Sequence, residues 1–385
     1  MEHPSKSNLP PQELLPLREK IDGIDHQILD LLRQRNEIVT EVAAIKQQTG
    51  FGIRDFVREK ELLEDRGNRA EQKGLRSEVI ESLFRVILWA SRDRQASLGA
   101  EAPQVTASKT VAIIGGNGGM GKVMSRLFSE AENKIIVADL DTTITNIEAV
   151  SNADVIVIAV PIEKTIEVIQ EVGPHCKAGS LLMDVTSTKS KPVLAMCECS
   201  KGTSVIGTHP LFGPSVHSLQ GQRIALVCER DEYGWDAWLT TILHGRGFSI
   251  LHTSAKEHDK AMSVVQVLTH QATEVLGRTI QKLGVDIHKT LEFTSPIYLI
   301  DLLMAARHFA QSSDLYASIQ MNNPETEHVL NTLRDAGEEL REIVLDQDRE
   351  KFTKLFAEVH EHFGNFSEQA LEQSSFLIDR LVERG

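Results

Sequence analysis

The chain has 385 residues, and this length predicts two or three domains because one hydrophobic core rarely serves more than about 250–300 residues. A formal net charge of −14 argues against general nucleic-acid binding, which depends on surplus lysine and arginine at the phosphates. No apolar run approaches the roughly 20 residues that span a bilayer, and the first residues lack the apolar core of a signal peptide. We therefore expect a cytoplasmic protein that binds neither nucleic acid nor membranes.

The four cysteines are Cys176, Cys197, Cys199 and Cys228, and they suit a reducing compartment better than a disulfide framework. The sequence CEC after HC raises the question of a zinc site, but its spacing fits no common zinc pattern. We expect ordinary thiols and no metal.

The first hundred residues predict three helices. From Leu14 to Ile45, apolar residues recur with a 3-4-3-4 spacing that indicates one long helix with a continuous buried stripe, broken only at position 35. Residues 55–74 predict a second, shorter helix, and residues 76–95 predict a third. Three helices make a thin core, so we expect the unit over residues 11–95 to dimerise.

The remaining chain predicts a linker, a sheet and a helical region. Residues 96–108 are small, polar and without periodicity, which indicates a linker. Short β-rich runs then alternate with helical patterns, which predicts an α/β Rossmann-type domain with a parallel sheet over residues 109–255. The runs are TVAIIGG, KIIVADLD, DVIVIAVP, SLLMDVTS and SVIGTHP, followed by RIALVCE and GFSILHTS. Residues 256–385 are helix-rich and predict a mostly α domain that dimerises and closes over a cleft.

The run VAIIGGNGGMGK contains a dinucleotide-binding pattern. Gly116, Gly118 and Gly121 satisfy G-x-G-x-x-G between a β-rich run and a helical one, where backbone amides and a helix N-terminus can bind a pyrophosphate. Asp139 ends the next predicted strand, where a carboxylate binds the adenine ribose hydroxyls and repels a 2′-phosphate. No arginine follows Asp139 in DLDTTITN, so the motif favours NAD over NADP. The alternative is a glycine-rich turn without a nucleotide.

Three basic residues lie on the seam of the first helix. Arg35 interrupts the apolar stripe, and Arg18 and Lys46 flank the same face; salt bridges are the simplest explanation. Arg35 and Lys46 are eleven residues apart, about 16 Å along a helix, so both can lean toward one small anionic ligand. Arg18 lies roughly 25 Å from Arg35 and could join that ligand only from an antiparallel second copy. The pattern therefore favours an intertwined dimer with shared sites.

The segments LLPLREKID, LLRQRNEIVTEVAAIK and IRDFVREKELL resemble the all-helical chorismate mutase family over roughly residues 11–95. The resemblance implies that Arg35 and Arg18, the latter from the partner subunit, bind the substrate carboxylates, with Arg58 as a further cation. A Claisen rearrangement needs no nucleophile, base or metal, because the enzyme selects a compact conformer and stabilises charge on the breaking ether oxygen.

The same resemblance implies roles for the second and third helices. Asp55 and Glu59 would hold the ring hydroxyl and the local charge balance. Ser91 and Gln95 fall four residues apart on one helical face, at the family's third-helix positions. Lys46 and Gln95 would contact the ether oxygen.

His209 follows a predicted strand in SVIGTHPLFGPSVHSLQG, at the carboxyl edge of the sheet where open α/β folds bind ligands. A hydrogen-bonded structural histidine would fit this position equally well. The segments MDVTSTKSKPVLAM, GTHPLFGP and FTSPIYLIDLLMAARHFAQSSDLYASI resemble the prephenate dehydrogenase family, over about residues 109–380. The resemblance implies that His209 is the hydrogen-bond acceptor or base for the substrate's ring hydroxyl as hydride leaves the same carbon for NAD⁺.

Further residues take roles from this resemblance. Arg307 would bind the ring carboxylate that departs as carbon dioxide, and Ser187 would lie between the nicotinamide and the hydroxyl, with Lys189 nearby. His270 resembles a position near the substrate's side chain that is linked to inhibition by tyrosine, or it is a helical-surface histidine. Leu299 stands where bifunctional relatives carry an arginine, so the choice between prephenate and arogenate as the substrate stays open.

The two halves predict consecutive reactions. Chorismate mutase makes prephenate and prephenate dehydrogenase consumes it, so the whole chain resembles the bifunctional enzymes of tyrosine biosynthesis. The expected ligands are chorismate, prephenate and NAD, with tyrosine as a possible feedback ligand, and the expected assembly is a homodimer. One alternative makes the helical leader a non-catalytic dimerisation or regulatory module. Another is a redox-sensing NAD-binding protein without turnover.

Overall fold

The N-terminal unit consists of three helices. The computed structural model describes residues 12–49, 51–98, 108–216 and 218–382. After a 3₁₀ turn, Gln12–Leu14, the helices are α1 (Leu15–Thr49), α2 (Phe56–Gln72) and α3 (Ser77–Ser97). Asp55 caps α2, since its side chain accepts a hydrogen bond from the Arg58 amide at 2.9 Å.

The apolar stripe of α1 is largely exposed in the single chain. Ile21, Leu31 and Ile38 are 57%, 62% and 60% exposed, although their spacing is that of a buried seam. The buried cluster of this unit is small and consists of Ala43, Ile53 and Ala96. The single chain therefore leaves most of the predicted seam without a partner surface.

The central domain is a seven-stranded sheet with helices on both faces. Its strands are β1 (Thr110–Ile114), β2 (Lys134–Ala138), β3 (Val155–Ile158), β4 (Leu181–Asp184), β5 (Ser204–Pro210), β6 (Arg223–Arg230) and β7 (Ser249–His252). Its helices are α4 (Gly119–Glu130), α5 (Asn146–Ser151), α6 (Ile162–Val172), α7 (Ser190–Cys199) and α8 (Trp235–Gly245). The strand order is β2-β1-β3-β4-β5-β6-β7, with one buried apolar cluster on each face. The expected Rossmann-type sheet is confirmed.

One strand departs from the expected parallel arrangement. β6 runs antiparallel to β5, while every other neighbouring pair is parallel. The chain returns from β5 to β6 without a crossover helix, and such a direct return brings the next strand back in the opposite direction. The sequence also places His209 after the strand, whereas the structure includes it as the penultimate residue of β5.

The C-terminal region is helical, as expected. Its helices are α9 (Ala255–Met262), α10 (Thr269–Leu283), α11 (Ile287–Leu291), α12 (Pro296–Phe309), α13 (Ser313–Asn322), α14 (Thr326–Leu345), α15 (Arg349–Phe363) and α16 (Phe366–Val382). A π-helical turn, Ser263–Leu268, joins α9 to α10. None of the helices within the described ranges combines the length and the apolar character needed to cross a membrane.

Parts of the predicted organisation fall outside the described residues. The predicted linker, 96–108, begins within the end of α3, and residues 99–107 of it lie outside the described ranges, as do residues 1–11 of the N-terminal stretch. The helical unit nevertheless contacts the central domain, because the Ser218 hydroxyl donates a hydrogen bond to the Asp93 carboxylate on α3.

Candidate active sites

The glycine loop between β1 and α4 leaves no room for a side chain at Gly115, Gly116 or Gly121, while a Cβ at Gly118 would lie 3.3 Å from its nearest neighbour. A Cβ added to Gly121 would lie 2.2 Å from the Gly115 carbonyl oxygen, and one added to Gly116 would lie 2.7 Å from Val137. Gly115 itself has a φ of +79°, in the left-handed region that favours glycine. These close approaches bring α4 against the sheet and aim its N-terminus at the loop, as a pyrophosphate cradle requires.

Asp139 lies directly beside this loop. It follows the last residue of β2, and its carboxylate accepts hydrogen bonds from the backbone amides of Asn117 at 2.9 Å and Leu140 at 2.7 Å. The Asn117 side chain in turn donates to Asp141 at 2.6 Å. The carboxylate is thus held at the edge of the cradle, and the arrangement fits a dinucleotide whose ribose hydroxyls donate to Asp139.

Three polar side chains, those of His209, His258 and Asp259, lie in a row at the carboxyl end of β5. His209 is 3% exposed, and its Nδ1 lies 2.9 Å from Nε2 of His258 on α9. Nδ1 of His258 lies 2.9 Å from Oδ1 of Asp259. On the other side of the ring, the Gln266 amide nitrogen lies 3.5 Å from Nε2 of His209. Gln266 belongs to the π-helical turn, a feature often found at functional sites.

The surroundings of His209 keep its ring neutral. Burial lowers the pKa of His209 well below its ordinary value, and the nearby His258 and Lys189 lower it further, while Asp259 opposes them. Because the ring is neutral, one of its nitrogens holds a lone pair and can accept a proton.

Lys189 does not extend into the cleft. It is fully buried, and its ammonium donates to the Asp184 carboxylate and, at 2.6 Å, to the Thr208 carbonyl oxygen. The ion pair joins the β4–α7 loop to β4, and the bond to Thr208 joins it to β5, directly beside His209. Ser187 lies half-buried in the same loop.

Replacing Lys189 with methionine is expected to destabilise the central domain by roughly 3–5 kcal/mol, because the buried Asp184 carboxylate loses its cation. Guanidinium chloride unfolding followed by tryptophan fluorescence measures this loss, since Trp235 and Trp238 lie in the core of this domain.

The matched control for this prediction is Lys177→Met. Lys177 also pairs with an aspartate, Asp154 at 2.7 Å, but the two side chains are 47% and 31% exposed. A surface pair of this kind contributes about 1 kcal/mol or less. Equal losses of unfolding free energy in the two variants would contradict a special role for the buried pair.

The helical domain adds a second cluster of rings beyond Gln266. His270 lies one turn further along, with its ring centroid 4.8 Å from that of Tyr316 and 5.3 Å from that of His308. His308 lies 2.9 Å from the Glu274 carboxylate. Oε1 of Gln266 and Nδ1 of His270 are buried and lack a hydrogen-bond partner among the described residues. Both atoms are therefore able to receive polar groups of a ligand.

Two residues predicted for the dehydrogenase pocket lie on α12. Arg307 is exposed, next to His308, and it lies near enough to Tyr316 to lower the pKa of that phenol, although burial raises the pKa overall. Leu299 is partly buried earlier on the same helix. The structure therefore places Arg307 beside the ring cluster.

Three of the predicted mutase residues meet where α1 contacts α3. The Arg35 guanidinium donates to the Ser91 hydroxyl, and burial lowers the pKa of this arginine. The Gln95 amide donates to the Ser91 carbonyl oxygen at 3.2 Å, and Gln95 Oε1 is buried without a hydrogen-bond partner in the described chain. Arg35, Ser91 and Gln95 thus form one cluster of polar side chains at the α1–α3 contact.

The other predicted mutase residues make different contacts, away from the Arg35–Ser91 hydrogen bond. The Lys46 ammonium donates to the carbonyl oxygens of Gly52 and Ile53, at 2.8 and 2.7 Å. Glu59 forms an ion pair with Arg92 on α3, and Arg58 lies 3.9 Å from Glu61 on the exposed side of α2. Arg18 is exposed near the start of α1.

Several residues of both sites were not predicted from the sequence. His258, Asp259 and Gln266 complete the surroundings of His209, and Arg92 holds Glu59. The adjacent pair His258–Asp259 was a visible signal, since a carboxylate next to a histidine can orient its ring. Its connection to His209 spans 49 residues of sequence and depends on the packing of α9 against β5.

Comparison with known families gives three matches in chain order. Residues 17–96 match the family model for chorismate mutase type II. Residues 125–239 match the nucleotide-binding domain of prephenate dehydrogenase, and residues 254–358 match its dimerization domain. The glycine loop lies just before the second matched range.

Individual relatives extend these matches over the whole chain. The chain is 32% identical over 369 residues to a T-protein of Haemophilus influenzae, covering 96% of this chain and 97% of that protein. It is 38% identical over 274 residues to a probable arogenate/prephenate dehydrogenase of Methanocaldococcus jannaschii, covering 66% of this chain and 61% of that protein. A crystal structure of prephenate dehydrogenase from A. aeolicus, with hydroxyphenyl propionate and NAD⁺, shares the fold at 18% identity and a TM-score of 0.55, covering 67% of this chain and 98% of that one.

Proposed function

The chain belongs to the T-protein family, and on that premise we propose which of its residues carry its two activities. It is a bifunctional enzyme of tyrosine biosynthesis, with a chorismate mutase that makes prephenate and an NAD-dependent prephenate dehydrogenase that converts prephenate to 4-hydroxyphenylpyruvate. The observation that carries the assignment of residues is that each activity has its own cluster of polar side chains, one at the α1–α3 contact and one at the end of β5.

We propose that the mutase site uses fixed cations and no covalent chemistry. Arg35 binds a substrate carboxylate from its position beside Ser91, and Lys46 and Gln95 face the ether oxygen on which negative charge develops. Arg58, Asp55 and Glu59 complete the site at the start of α2. Preorganised donors stabilise the transition state more than the ground state because they do not reorient during the reaction.

We propose that the mutase site is completed in a homodimer by Arg18 of the partner subunit. The exposed apolar stripe of α1 supports this assembly, because a continuous apolar seam of this length is normally covered. An antiparallel copy of α1 would bring its Arg18 toward Arg35. The match to a dimerization domain over residues 254–358 supports a second contact between the same two chains.

We propose that His209 is the proton acceptor of the dehydrogenase. Its neutral ring takes the proton of the substrate's ring hydroxyl, Ser187 orients that hydroxyl, and Arg307 binds the carboxylate that leaves as carbon dioxide. NAD⁺, when bound in the glycine cradle beside Asp139, supplies the hydride acceptor. Loss of carbon dioxide makes the ring aromatic, which drives the reaction forward.

Asp139→Asn is expected to relax the preference for NAD⁺ because the amide no longer repels a 2′-phosphate. We expect kcat/KM for NAD⁺ to fall about 10- to 100-fold, the size of a lost charged hydrogen bond, and the ratio of NADP⁺ to NAD⁺ use to rise. Asp141→Asn is the matched control, since Asp141 contacts the Asn117 side chain and not the backbone of the cradle. An unchanged cofactor ratio in Asp139→Asn would remove Asp139 from ribose recognition.

We propose that the ring cluster around His270 receives the substrate's side chain. The buried Nδ1 of His270, which has no hydrogen-bond partner within the described ranges, supports this position. Tyrosine, which shares the substrate's ring and chain, is proposed to bind there as a feedback ligand. Leu299, on α12, stands where the resemblance expects an arginine, so arogenate belongs in the test beside prephenate.

The domain boundaries and the cellular location are proposed from the sequence. We propose a mutase domain over residues 11–95, a linker over 96–108, a nucleotide-binding domain over 109–255 and a helical domain over 256–385. A cytoplasmic location stays a prediction from the four free thiols.

The test of the whole proposal follows chorismate loss and NADH absorbance separately in the purified protein. Chorismate is expected to fall without NAD⁺, and NADH is expected to appear when NAD⁺ is added. Parallel runs replace NAD⁺ by NADP⁺ and supply prephenate or arogenate directly. If the protein does not consume chorismate but still forms NADH from prephenate, the N-terminal helical unit is a scaffold and not a mutase.

A further inference from the structure

His209, His258 and Asp259 form a continuous hydrogen-bonded line at the carboxyl end of β5. The distances are 2.9 Å from His209 to His258 and 2.9 Å from His258 to Asp259, and all three residues are at most 3% exposed. Nε2 of His209 lies at the opposite end of the line, on the side of Gln266. The line therefore has one end in the proposed substrate pocket and one end inside the protein.

The inner end of the line is a fixed carboxylate. Asp259 accepts hydrogen bonds from the Lys189 amide at 2.8 Å, the Ser190 amide at 2.9 Å and the Ser190 hydroxyl at 2.5 Å. Burial by itself would raise the pKa of Asp259, but the bonds from His258, Ser190 and Lys189 lower it to about 2. Asp259 is therefore ionised near neutral pH and can only accept hydrogen bonds.

Because Asp259 can only accept hydrogen bonds, it determines which ring nitrogens of His258 and His209 carry a proton. His258 must donate from Nδ1 to Asp259, so in the neutral ring its Nε2 carries the lone pair. His209 then donates from Nδ1 to His258, and its own lone pair is on Nε2, toward Gln266. This is the tautomer that a proton acceptor in the cleft requires.

We propose that His258, oriented by Asp259, relays the proton that His209 takes from the substrate, so that the positive charge rests on His258 and not on His209. The proposal rests on the dehydrogenase function proposed above. The substrate hydroxyl gives its proton to Nε2 of His209 as the O–H bond breaks, and His209 gives its Nδ1 proton to Nε2 of His258. His209 ends neutral, and His258 ends as an imidazolium paired with the Asp259 carboxylate.

The charges around the two rings support this final state. His209 faces His258, the Lys189 ammonium and the more distant Asp259 carboxylate, and its burial makes a charge on its own ring costly. His258 faces His209 on one side and touches the Asp259 carboxylate on the other. A proton on His258 therefore meets a negative charge at 2.9 Å, whereas a proton left on His209 meets a nearby cation.

The test compares His258→Gln and His258→Ala in the full-length enzyme. The glutamine oxygen can still accept from Nδ1 of His209 and hold its tautomer, but it cannot take a proton. We expect both variants to lose about 10- to 100-fold in kcat for prephenate oxidation, with KM changed little, because a relay acts in the reaction and not in binding. NAD⁺ affinity, measured by titration, reports that the dehydrogenase domain of each variant is folded.

The pH profile separates the relay from a structural role. In the proposed relay, a proton on either ring, His209 or His258, blocks the transfer in the wild type. In His258→Gln only the His209 ring remains, and burial lowers its pKa below the ordinary value, so the acid limb of kcat/KM is expected to move to lower pH. His252→Gln is the matched control, since His252 also lies beside a carboxylate, Asp236 at 3.2 Å, but at the surface.

Two results would overturn the relay. Near wild-type kcat in His258→Gln, with loss only in His258→Ala, would show that His258 holds the tautomer without taking the proton. An unshifted acid limb in a folded His258→Gln variant would show the same. A wild-type protein that produces no NADH from prephenate would instead refute the proposed dehydrogenase function, so the two failures are distinguishable.

Discussion

Arg35→Ala is expected to reduce chorismate turnover by at least about 10²- to 10³-fold while prephenate oxidation by the same protein is unchanged. The guanidinium is the cation that the sequence places inside an apolar seam, and the structure joins it to Ser91 on α3. Loss of one preorganised charged donor from a site that works by electrostatic stabilisation removes a large part of the rate. Chorismate loss without NAD⁺ measures the mutase, and NADH formation from prephenate measures the dehydrogenase.

The matched control is Arg33→Ala, two residues away on the same helix. Arg33 is 63% exposed and forms an i,i+4 ion pair with Glu37, so its removal is expected to leave both activities intact. Arg35→Lys is the second variant, because it keeps the charge but loses the planar fork that binds a carboxylate in two places. We expect intermediate mutase activity from it.

The activities of Arg35→Ala also decide whether the N-terminal helical unit is a catalytic domain or a non-catalytic scaffold. A scaffold would lose stability or dimerisation when Arg35 is replaced, and the dehydrogenase would suffer with it. Full chorismate turnover in a folded Arg35→Ala variant would remove Arg35 from the site. Loss of the mutase alone is the result that a catalytic leader requires.

The parts of the protein that could be predicted from sequence depend on local patterns. The glycine loop and Asp139 are close in sequence, and the spacing of glycines, strand and acid is dictated by the fold of one βαβ unit. The long helix follows from its 3.6-residue periodicity in the same way. Arg35 was found because a cation in an apolar seam contradicts the pattern around it.

The parts that could not be predicted depend on tertiary packing. Antiparallel β6 follows from a loop without a crossover helix, and the apolar run IALV in that strand resembles the runs in the parallel strands of the sheet. Lys189 seemed to belong near the substrate, but its ammonium is committed to Asp184 within the core. His258 meets His209 only because α9 packs beside the end of β5, and no spacing in the sequence reports that contact.

The second large effect is expected from His209→Asn, which should lower kcat for prephenate oxidation by about 10³-fold or more. Asparagine keeps a polar side chain at the end of β5 but has no ring nitrogen to accept the hydroxyl proton, and general base catalysis contributes about 10²- to 10⁴-fold. Affinity for NAD⁺, measured by titration, and chorismate turnover should both stay at wild-type values, because the cradle and the mutase site do not contact His209. Loss of NAD⁺ affinity together with turnover would show a structural histidine, and unchanged turnover would refute the assignment.

The double variant His209→Asn/His258→Gln then connects the two histidines. If His258 acts only through His209, its replacement has nothing further to remove once His209 is gone, and the double variant should be no slower than His209→Asn alone. Multiplied losses would mean that the two rings act independently. His244→Asn, at an exposed position on α8, is the control for histidine replacement in this domain and should leave NADH formation unchanged. The non-additive result is the one that a relay from His209 to the His258–Asp259 pair requires, because each proton that reaches His258 has first passed through His209.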